Sequence, residues 1–489
     1  MCARPFITTY LLPPVISHCR HVLIVQPRYP VMMTTPTKPL VLVCSTPVSG
    51  HIIPMQTVAK SLVDRGYDVC FVSGSGYRQQ IEAIGASFVP VKGYGDFHDL
   101  RARDLDPNWP TPLLSLEGPD HFCHDLVHVF CKSLPSQHEA LQKALESLRD
   151  KHPDRPVIIL TESLNFGALP LTLGAPGICP EGLIAIGLNP IFLSSIDHPP
   201  FGHGLMPDSS PEGREKNTAA NEHQKRIFAK AQTAFTEALV SVGADETKTF
   251  LLDALYSLPD RFVQLCPPSV EYHRSDAPKT LRFAGGYPKA PRELRRWTRP
   301  SWWNEITTSN RNRKVIFVCQ GTVATDLNQL VYPTMTAFKD RSDFIIVVAL
   351  GEKGATLPAH IPIPSNCKVE DYIPYDDVLP YSDVFVTTGG YGAFQRALNN
   401  GIPLVVGSTT EEKPETCARA EWAGVAVNLR TSYPSIEQLR YAVDLVLLKS
   451  KYKTRALMIQ AEIATYDPVG VIIENIEELG GRGLCASES

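Results

Sequence analysis

From Leu40 onward the chain alternates short apolar runs with amphipathic stretches. The first run, Leu40-Val-Leu-Val-Cys-Ser45, passes through a loop at Thr46–Gly50. Beyond it Met55, Val58, Ala59, Leu62 and Val63 recur at the i, i+3, i+4, i+7, i+8 spacing of one helix face, which stops at Arg65-Gly66. The next run, Tyr67-Asp-Val-Cys-Phe-Val-Ser73, is again nearly continuous. Two apolar strands joined by an amphipathic helix predict a βαβ unit in a parallel sheet covered on both faces. The alternation returns at Val157–Glu162, followed by a helical Phe166–Leu173 and the run Leu183–Leu188.

The pattern lapses over 287–312, a segment rich in Pro, Arg and Trp. A second series then begins, with predicted strands at Lys314–Cys319, Phe344–Leu350, Val384–Thr387, Leu404–Gly407 and Val425–Leu429. The expectation is an α/β fold of two Rossmann-like doubly wound domains facing a cleft. The boundaries read as an unstructured extension at 1–38, a first domain at 39–286, a linker at 287–312, a second domain at 313–464 and a C-terminal segment at 465–489. Open parallel sheets bind ligands beyond the carboxyl ends of their strands, so the cleft is the expected site.

Composition agrees with this layout and removes several function classes. A chain of 489 residues exceeds what one core usually organises. Hydrophobic residues make up 43% and charged residues 20%, enough apolar content to fold. A net charge of −4 argues against a nucleic-acid partner. Arg292, Arg295, Arg296 and Arg299 beside Trp297, Trp302 and Trp303 read as a solvated linker with anchoring tryptophans. Twelve cysteines are scattered singly, several inside apolar runs as at Cys44 and Cys70, which suits buried reduced thiols. No Asn-x-Ser/Thr sequon occurs, and apolar stretches break well short of about 18 residues. The expected localisation is cytoplasmic, without integral membrane association. Pro13, Pro14, Pro27 and Pro30 punctuate the extension, and Met32-Met33, followed by Thr-Thr-Pro-Thr-Lys-Pro and then the first strand, marks an expected start of the functional chain.

Candidate chemistry gathers at strand ends. Ser49-Gly50-His51-Ile-Ile-Pro54 follows the first strand, where a histidine can take a proton from a hydroxyl; a capping or core histidine is the plainer alternative. Thr387-Thr-Gly-Gly-Tyr-Gly-Ala-Phe394 leaves a strand and opens a helix, so its amides can approach an anion. Gly321-Thr322 offers a similar turn. Asp104-Leu-Asp106 has the form of a metal-binding D-x-D in a Pro-rich loop, and His124-Asp-Leu-Val-His128 mimics a zinc helix on an ordinary amphipathic face. Gly74-Ser-Gly76 lacks the third glycine of a dinucleotide fingerprint. None of these three patterns is read as a site, and no metal is expected.

Gly50-His51-x-x-Pro54, Thr387-Thr-Gly-Gly-Tyr-Gly and the block Gly401–Arg419 containing Glu411-Glu-Lys-Pro-Glu415 together resemble the family 1 UDP-sugar-dependent glycosyltransferases. The last block, with Ser194–Gly204, is similar to the bacterial and fungal branch whose donor motif reads Glu-Asp-Lys-Pro-Glu. The resemblance covers roughly Leu40 to Leu479. It implies the GT-B fold, with an N-terminal acceptor-binding domain, a C-terminal nucleotide-sugar-binding domain and a terminal helix crossing back to the first domain. It implies an inverting, metal-independent transfer of a sugar, glucose by expectation, to a hydroxyl of a small lipophilic acceptor such as a phenolic, polyketide or sterol of secondary metabolism. The UDP-sugar is a co-substrate, and no cofactor is expected.

In this resemblance His51 is the general base, and Glu162 stands where the family has the aspartate that orients it. The donor set is Gly321, Thr322, Tyr372, Ile373, Thr388, Gly389, Gly390, Gly392, Ala393, Glu412 and Lys413. Tyr372 takes the place of the aromatic that stacks on the base. Thr388 replaces a phosphate-binding histidine, and Glu412-Lys413 replaces the sugar-contacting Asp-Gln. Arg396 stands where many relatives have a ribose-binding glutamate, which opens the choice of nucleotide. Phe88–Phe97, residues 112–132 and Ile191–Phe201 are the expected acceptor walls. The accumulated substitutions also suit a rival reading, a catalytically degraded nucleotide-sugar-binding scaffold or partner subunit.

Overall fold

The unbroken apolar runs become the inner strands of two parallel sheets, because a strand covered by helices on both faces has no solvent side to carry polar residues. The computed structural model describes residues 38–97, 118–289, 297–308, 312–321, 324 and 326–485. The extension up to Thr37, Asp104-Leu-Asp106, Arg292, Arg295, Arg296 and Thr322 lie outside the described residues.

The first sheet has seven strands: β1 Leu40–Cys44, β2 Val69–Ser73, β3 Ser87–Pro90, β4 Val157–Glu162, β5 Gly182–Gly187, β6 Arg261–Gln264 and β7 Leu281–Phe283. Their spatial order is β3-β2-β1-β4-β5-β6-β7, all parallel. The second has six: β8 Lys314–Cys319, β9 Phe344–Ala349, β10 Cys367–Glu370, β11 Val384–Thr387, β12 Leu404–Val406 and β13 Ala426–Asn428, in the order β10-β9-β8-β11-β12-β13. This is the two-domain doubly wound architecture expected from the sequence. Strand order reverses between β1 and β4 and again between β8 and β11, and those crevices are where such sheets hold ligands.

Four strands escaped the sequence reading. β3, β7 and β10 are edge or outer strands carrying Ser, Arg, Lys or Glu, and β6 is a four-residue Arg-Phe-Val-Gln. The helix after β1 runs from Ser49 to Asp64, so His51 belongs to its first turn rather than to a loop before it. Its Met55, Val58, Ala59 and Leu62 are fully buried, with Val63 packed at the cluster margin. Phe166–Leu173 is a 3-10 helix.

The connection between the sheets is anchored by its aromatics. Trp303 is buried, Trp297 lies 4.8 Å from it centroid to centroid, and the Tyr287 hydroxyl donates to the Leu188 carbonyl at 2.6 Å. The helix Pro468–Cys485 returns to the first sheet: Leu479 packs against Gly182 of β5, the Tyr67 hydroxyl donates to Glu477 at 2.7 Å, and Arg261 pairs with Glu478 at 2.5 Å. Together with the preceding helix Ser450–Ile463 it makes up Ser450–Gly481, the one stretch among the described residues that is long and apolar enough by length and composition to cross a membrane, which the sequence reading did not expect. It is interrupted at Ala464–Asp467, and its Ile472, Ile476 and Leu479 are buried within the protein. Nine described cysteines are free thiols, eight of them buried and only Cys179 exposed.

Candidate active site

The crevice between β1 and β4 brings two residues together. Glu162 ends β4, and His51 sits in the first turn of the helix that follows β1. His51 Nδ1 lies 2.8 Å from Glu162 Oε2. That oxygen also accepts the Leu164 amide at 2.7 Å, and Oε1 accepts the Thr46 amide at 3.1 Å. Three donors around one carboxylate hold it in a single orientation, so the extra methylene of glutamate costs no contact with the imidazole. The Glu162 side chain has no exposed surface and that of His51 retains 13%.

Burial disfavours charge on both groups, yet each favours the charged form of the other. Against its own desolvation, the charge and hydrogen bond of Glu162 hold the His51 pKa above the ordinary histidine value, and Glu412 adds to this. Against a larger burial effect in the opposite direction, His51 and the two amides hold Glu162 below the usual carboxylate range. Glu412 caps a helix of the second domain, so the field at His51 is set from both domains.

The crevice between β8 and β11 collects the donor candidates. Gly321 follows β8 with φ 84°, and a Cβ there would meet nothing within 4 Å. Gly389 has φ 87° with its missing Cβ only 2.6 Å from Cys417 Sγ, so only glycine fits. Gly390 caps the helix Tyr391–Asn399 and faces open space. Gly392 has only Tyr287 near, at 3.9 Å. The first-turn amides of this helix lack intrahelical partners, an arrangement chemically suited to an anion.

Other positions serve different ends. The Thr388 hydroxyl is buried and donates to the Gln320 carbonyl at 2.9 Å. This bond ties the β8 and β11 loops together. Ile373 and Ala393 are buried in the apolar core, so their side chains support the site rather than line it. Tyr372 is partly exposed, with the Lys353 ammonium 5.5 Å from its ring centre. Arg396 is buried, pairs with Asp376 at 2.9 Å and donates to the Pro288 carbonyl at 3.2 Å.

The donor-motif helix runs from Lys413 to Trp422 with Glu412 at its N-cap. Glu411 adopts φ 58°, unusual for a residue with a side chain, and its carboxylate is paired with the buried Lys413 ammonium. Burial pushes the Glu412 carboxyl up against the pull of Lys413. Burial works to lower Lys413, but Glu411 and Glu412 outweigh it and keep the ammonium charged. A cavity of about 330 Å³ adjoins this helix, lined by Ser408, Thr409, Pro414, Asn428 and Arg430 from one side and by Gly202, His203 and Gly204 from the other.

An aromatic cluster lies buried in the first domain. Phe122, Phe192 and Phe201 pack with ring centroids 4.6–5.4 Å apart, in one cluster with Val48, which directly precedes the His51 helix, and Phe97. Among the described residues no group of His, Cys, Asp or Glu is arranged to hold a metal, His124 and His128 included.

Residues 335–479 match the family described as Erythromycin biosynthesis protein CIII-like, C-terminal domain. UDP-glucosyltransferase A1 of Starmerella bombicola is 38% identical over 91% of this chain and 93% of its own length. The chain belongs to the family 1 UDP-sugar-dependent glycosyltransferases. UDP-glycosyltransferase 2 of Phaeomoniella chlamydospora is 36% identical over 94% of this chain and 99% of its own. In fold, this glycosyltransferase is similar to the crystal structures of the glycosyltransferase of kitacinnamycin (TM-score 0.65, 21% identity) and of the calicheamicin glycosyltransferase CalG4 (TM-score 0.62, 18% identity). Each covers 91% of this chain and 99% of that one. The enzyme therefore has the GT-B fold. Buried charges also link its two domains at Glu271 and Arg419, a contact that nothing in their sequence spacing signals.

Proposed function

We propose that this glycosyltransferase moves glucose from UDP-glucose to the hydroxyl of a small lipophilic acceptor, with inversion and without a metal ion. The observation that carries the reading is the 2.8 Å pair of His51 and Glu162, facing a donor domain whose glycine turn opens a helix. Glucose as the sugar is supported by relatives named UDP-glucosyltransferases. The lipophilic acceptor is supported by the apolar ground behind the His51 helix, where Val48 packs on the buried cluster of Phe122, Phe192 and Phe201.

Glu162 engages Nδ1 and so leaves Nε2 as the nitrogen that meets the acceptor hydroxyl. The acceptor oxygen gives its proton to Nε2 as it attacks the anomeric carbon, and the bond to the UDP oxygen breaks on the opposite face. Glu162 remains ionised and stabilises the imidazolium. Amides of Gly389–Ala393 and the turn at Gly321 take the growing diphosphate charge, the part a metal plays elsewhere. Tyr372 stacks on the base, and Glu412 accepts from sugar hydroxyls. The proposed setting is cytoplasmic, without integral membrane association.

The scaffold reading is not favoured, because the base and its partner are in contact and the relatives above carry enzyme names. Incubation with UDP-glucose and a panel of phenols, polyketides and sterols in EDTA, followed by mass spectrometry, tests the proposal. Hexosylated product that depends on His51 supports it; UDP binding with no product on any acceptor defeats it.

A further inference from the structure

The segment leaving β6, Gln264 to Arg274, is tied to both donor helices that open on the cleft. Gln264 Nε2 donates to the Tyr391 hydroxyl at 3.0 Å and to the Asn189 carbonyl at 2.9 Å, and Tyr391 is the first residue of the helix behind the glycine turn. Glu271 Oε1 lies 2.6 Å from Arg419 Nε, both side chains 1% exposed. Arg419 Nη1 reaches Glu415 Oε2 at 2.7 Å and its Nη2 the Ile191 carbonyl at 3.5 Å, while its guanidinium stacks 4.3 Å from the Tyr272 ring centre.

Each carboxylate in this group also holds backbone of the acceptor domain. Glu271 Oε2 accepts the Ile191 amide at 3.1 Å, with Arg274 as a second cation at 3.5 Å from Oε1. Glu415 Oε1 accepts the amides of Gly202 and Gly204 at 2.9 and 2.8 Å. Ile191 and Gly202 bracket the stretch that carries Phe192 and Phe201. One buried cluster therefore grips the aromatic stretch Ile191–Phe201 of the first domain and, through Glu415 and Arg419, the helix whose first turn presents Glu412 and Lys413.

We propose that Glu271, Arg419 and Glu415 form an interdomain clasp that fixes the distance between His51 and the donor motif, so that all three are positioning residues for sugar transfer. Three arguments carry this. Arg419 lies six residues from Lys413 on one helix, about 9 Å along its axis, so fixing Arg419 and Glu415 fixes the donor end. A guanidinium fork engaged by two carboxylates and a carbonyl restrains rotation as well as translation, which apolar packing does not. Buried ion clusters are poor sources of stability compared with apolar residues of the same size, so their return here lies in geometry.

The inference rests on the reading of His51 and Glu412-Lys413 given above. Its test uses the full-length enzyme and the variants Arg419→Lys, which keeps the charge but not the fork, and Glu415→Gln, whose amide oxygen still accepts from Gly202 and Gly204. Three quantities are read with UDP-glucose and a phenolic acceptor: kcat for transfer, the UDP dissociation constant by calorimetry, and hydrolysis of UDP-glucose with water replacing the acceptor. A displacement near 1 Å costs about a hundredfold in rate, so transfer should fall roughly tenfold to a hundredfold. UDP affinity should stay within about twofold, and hydrolysis should make up a larger share of turnover. Unchanged kcat, or kcat and UDP affinity falling together as in a merely structural lesion, overturns the clasp. If Arg419→Lys does not fold, Glu415→Gln carries the same test with the same outcomes. Should the wild type turn over no UDP-glucose, the functional reading fails by itself. The clasp is then judged by X-ray scattering of the UDP complex, where an unchanged radius of gyration in the variants overturns it and an increase supports it.

Discussion

His51 Nδ1 and Glu162 Oε2 stand 2.8 Å apart although 111 positions separate them in the chain. The order of the first sheet explains the meeting: β1 and β4 are neighbours at the point where strand order reverses, so the residue after one faces the residue ending the other. Replacing His51 by Ala removes the base. Transfer should fall about 10²–10⁴-fold with UDP affinity retained, measured by product formation and calorimetry on the same sample. Equal UDP binding and equal turnover in H51A would sink the mechanism.

The pH dependence follows from the direction of the His51 shift. Only neutral imidazole accepts the proton, so kcat/KM should fall as pH drops through a value above 6.5, the ordinary histidine figure, because Glu162 raises it. In Glu162→Gln the raising charge is gone while burial still lowers the pKa. The acid limb should therefore move to lower pH, with a smaller plateau rate. A limb that stays in place would show that another group controls it.

Glu162→Asp draws the carboxylate back by about one bond length. Aspartate cannot keep the Thr46, Leu164 and His51 contacts together at the present backbone spacing. Turnover should drop by about ten- to a hundredfold, even though aspartate is the residue implied by the family pattern. Wild-type kcat in the aspartate variant would mean that the backbone adjusts freely here.

Two adjacent glycines should respond differently to a single methyl group. Gly389→Ala forces a left-handed backbone and a contact at 2.6 Å with Cys417, a cost of about 1–3 kcal/mol that differential scanning calorimetry should read as several degrees lost from Tm. Gly390→Ala meets nothing within 4 Å and should leave Tm in place. Its methyl enters the space before the helix amides, so UDP affinity should fall about tenfold. Loss of Tm in G390A, or normal UDP binding there, contradicts the placement of the diphosphate.

Chelation provides a further check. If helix amides stabilise the departing diphosphate, initial rates in EDTA should equal those in buffer, and added Mn²⁺ should leave kcat unchanged. A recoverable dependence on Mn²⁺ would point to a different donor site.

The parts legible from sequence are those that physics forces into one-dimensional patterns. β4, β8 and β11 were read to the residue because doubly covered strands stay apolar throughout. β7 and β10 were missed because outer strands tolerate Arg, Lys and Glu. His51 stood out as a histidine at a strand end, whereas Glu162 reached the site only through the family resemblance. The pairing of Thr388 with Gln320 and the ion cluster around Arg419 depend on contacts between distant segments, which no local spacing records.

The returning helix Pro468–Cys485 has a consequence for synthesis. Its Ile472, Ile476 and Leu479 have no exposed surface, and it lies on β4 and β5, strands made long before it. At about 5–20 residues per second, the roughly 185 residues between Phe283 and Pro468 keep that face of the first sheet open for some 10–40 s on the ribosome. Until the last helix emerges, the nascent N-terminal half carries an uncovered apolar strip, which ties its maturation to synthesis of that helix.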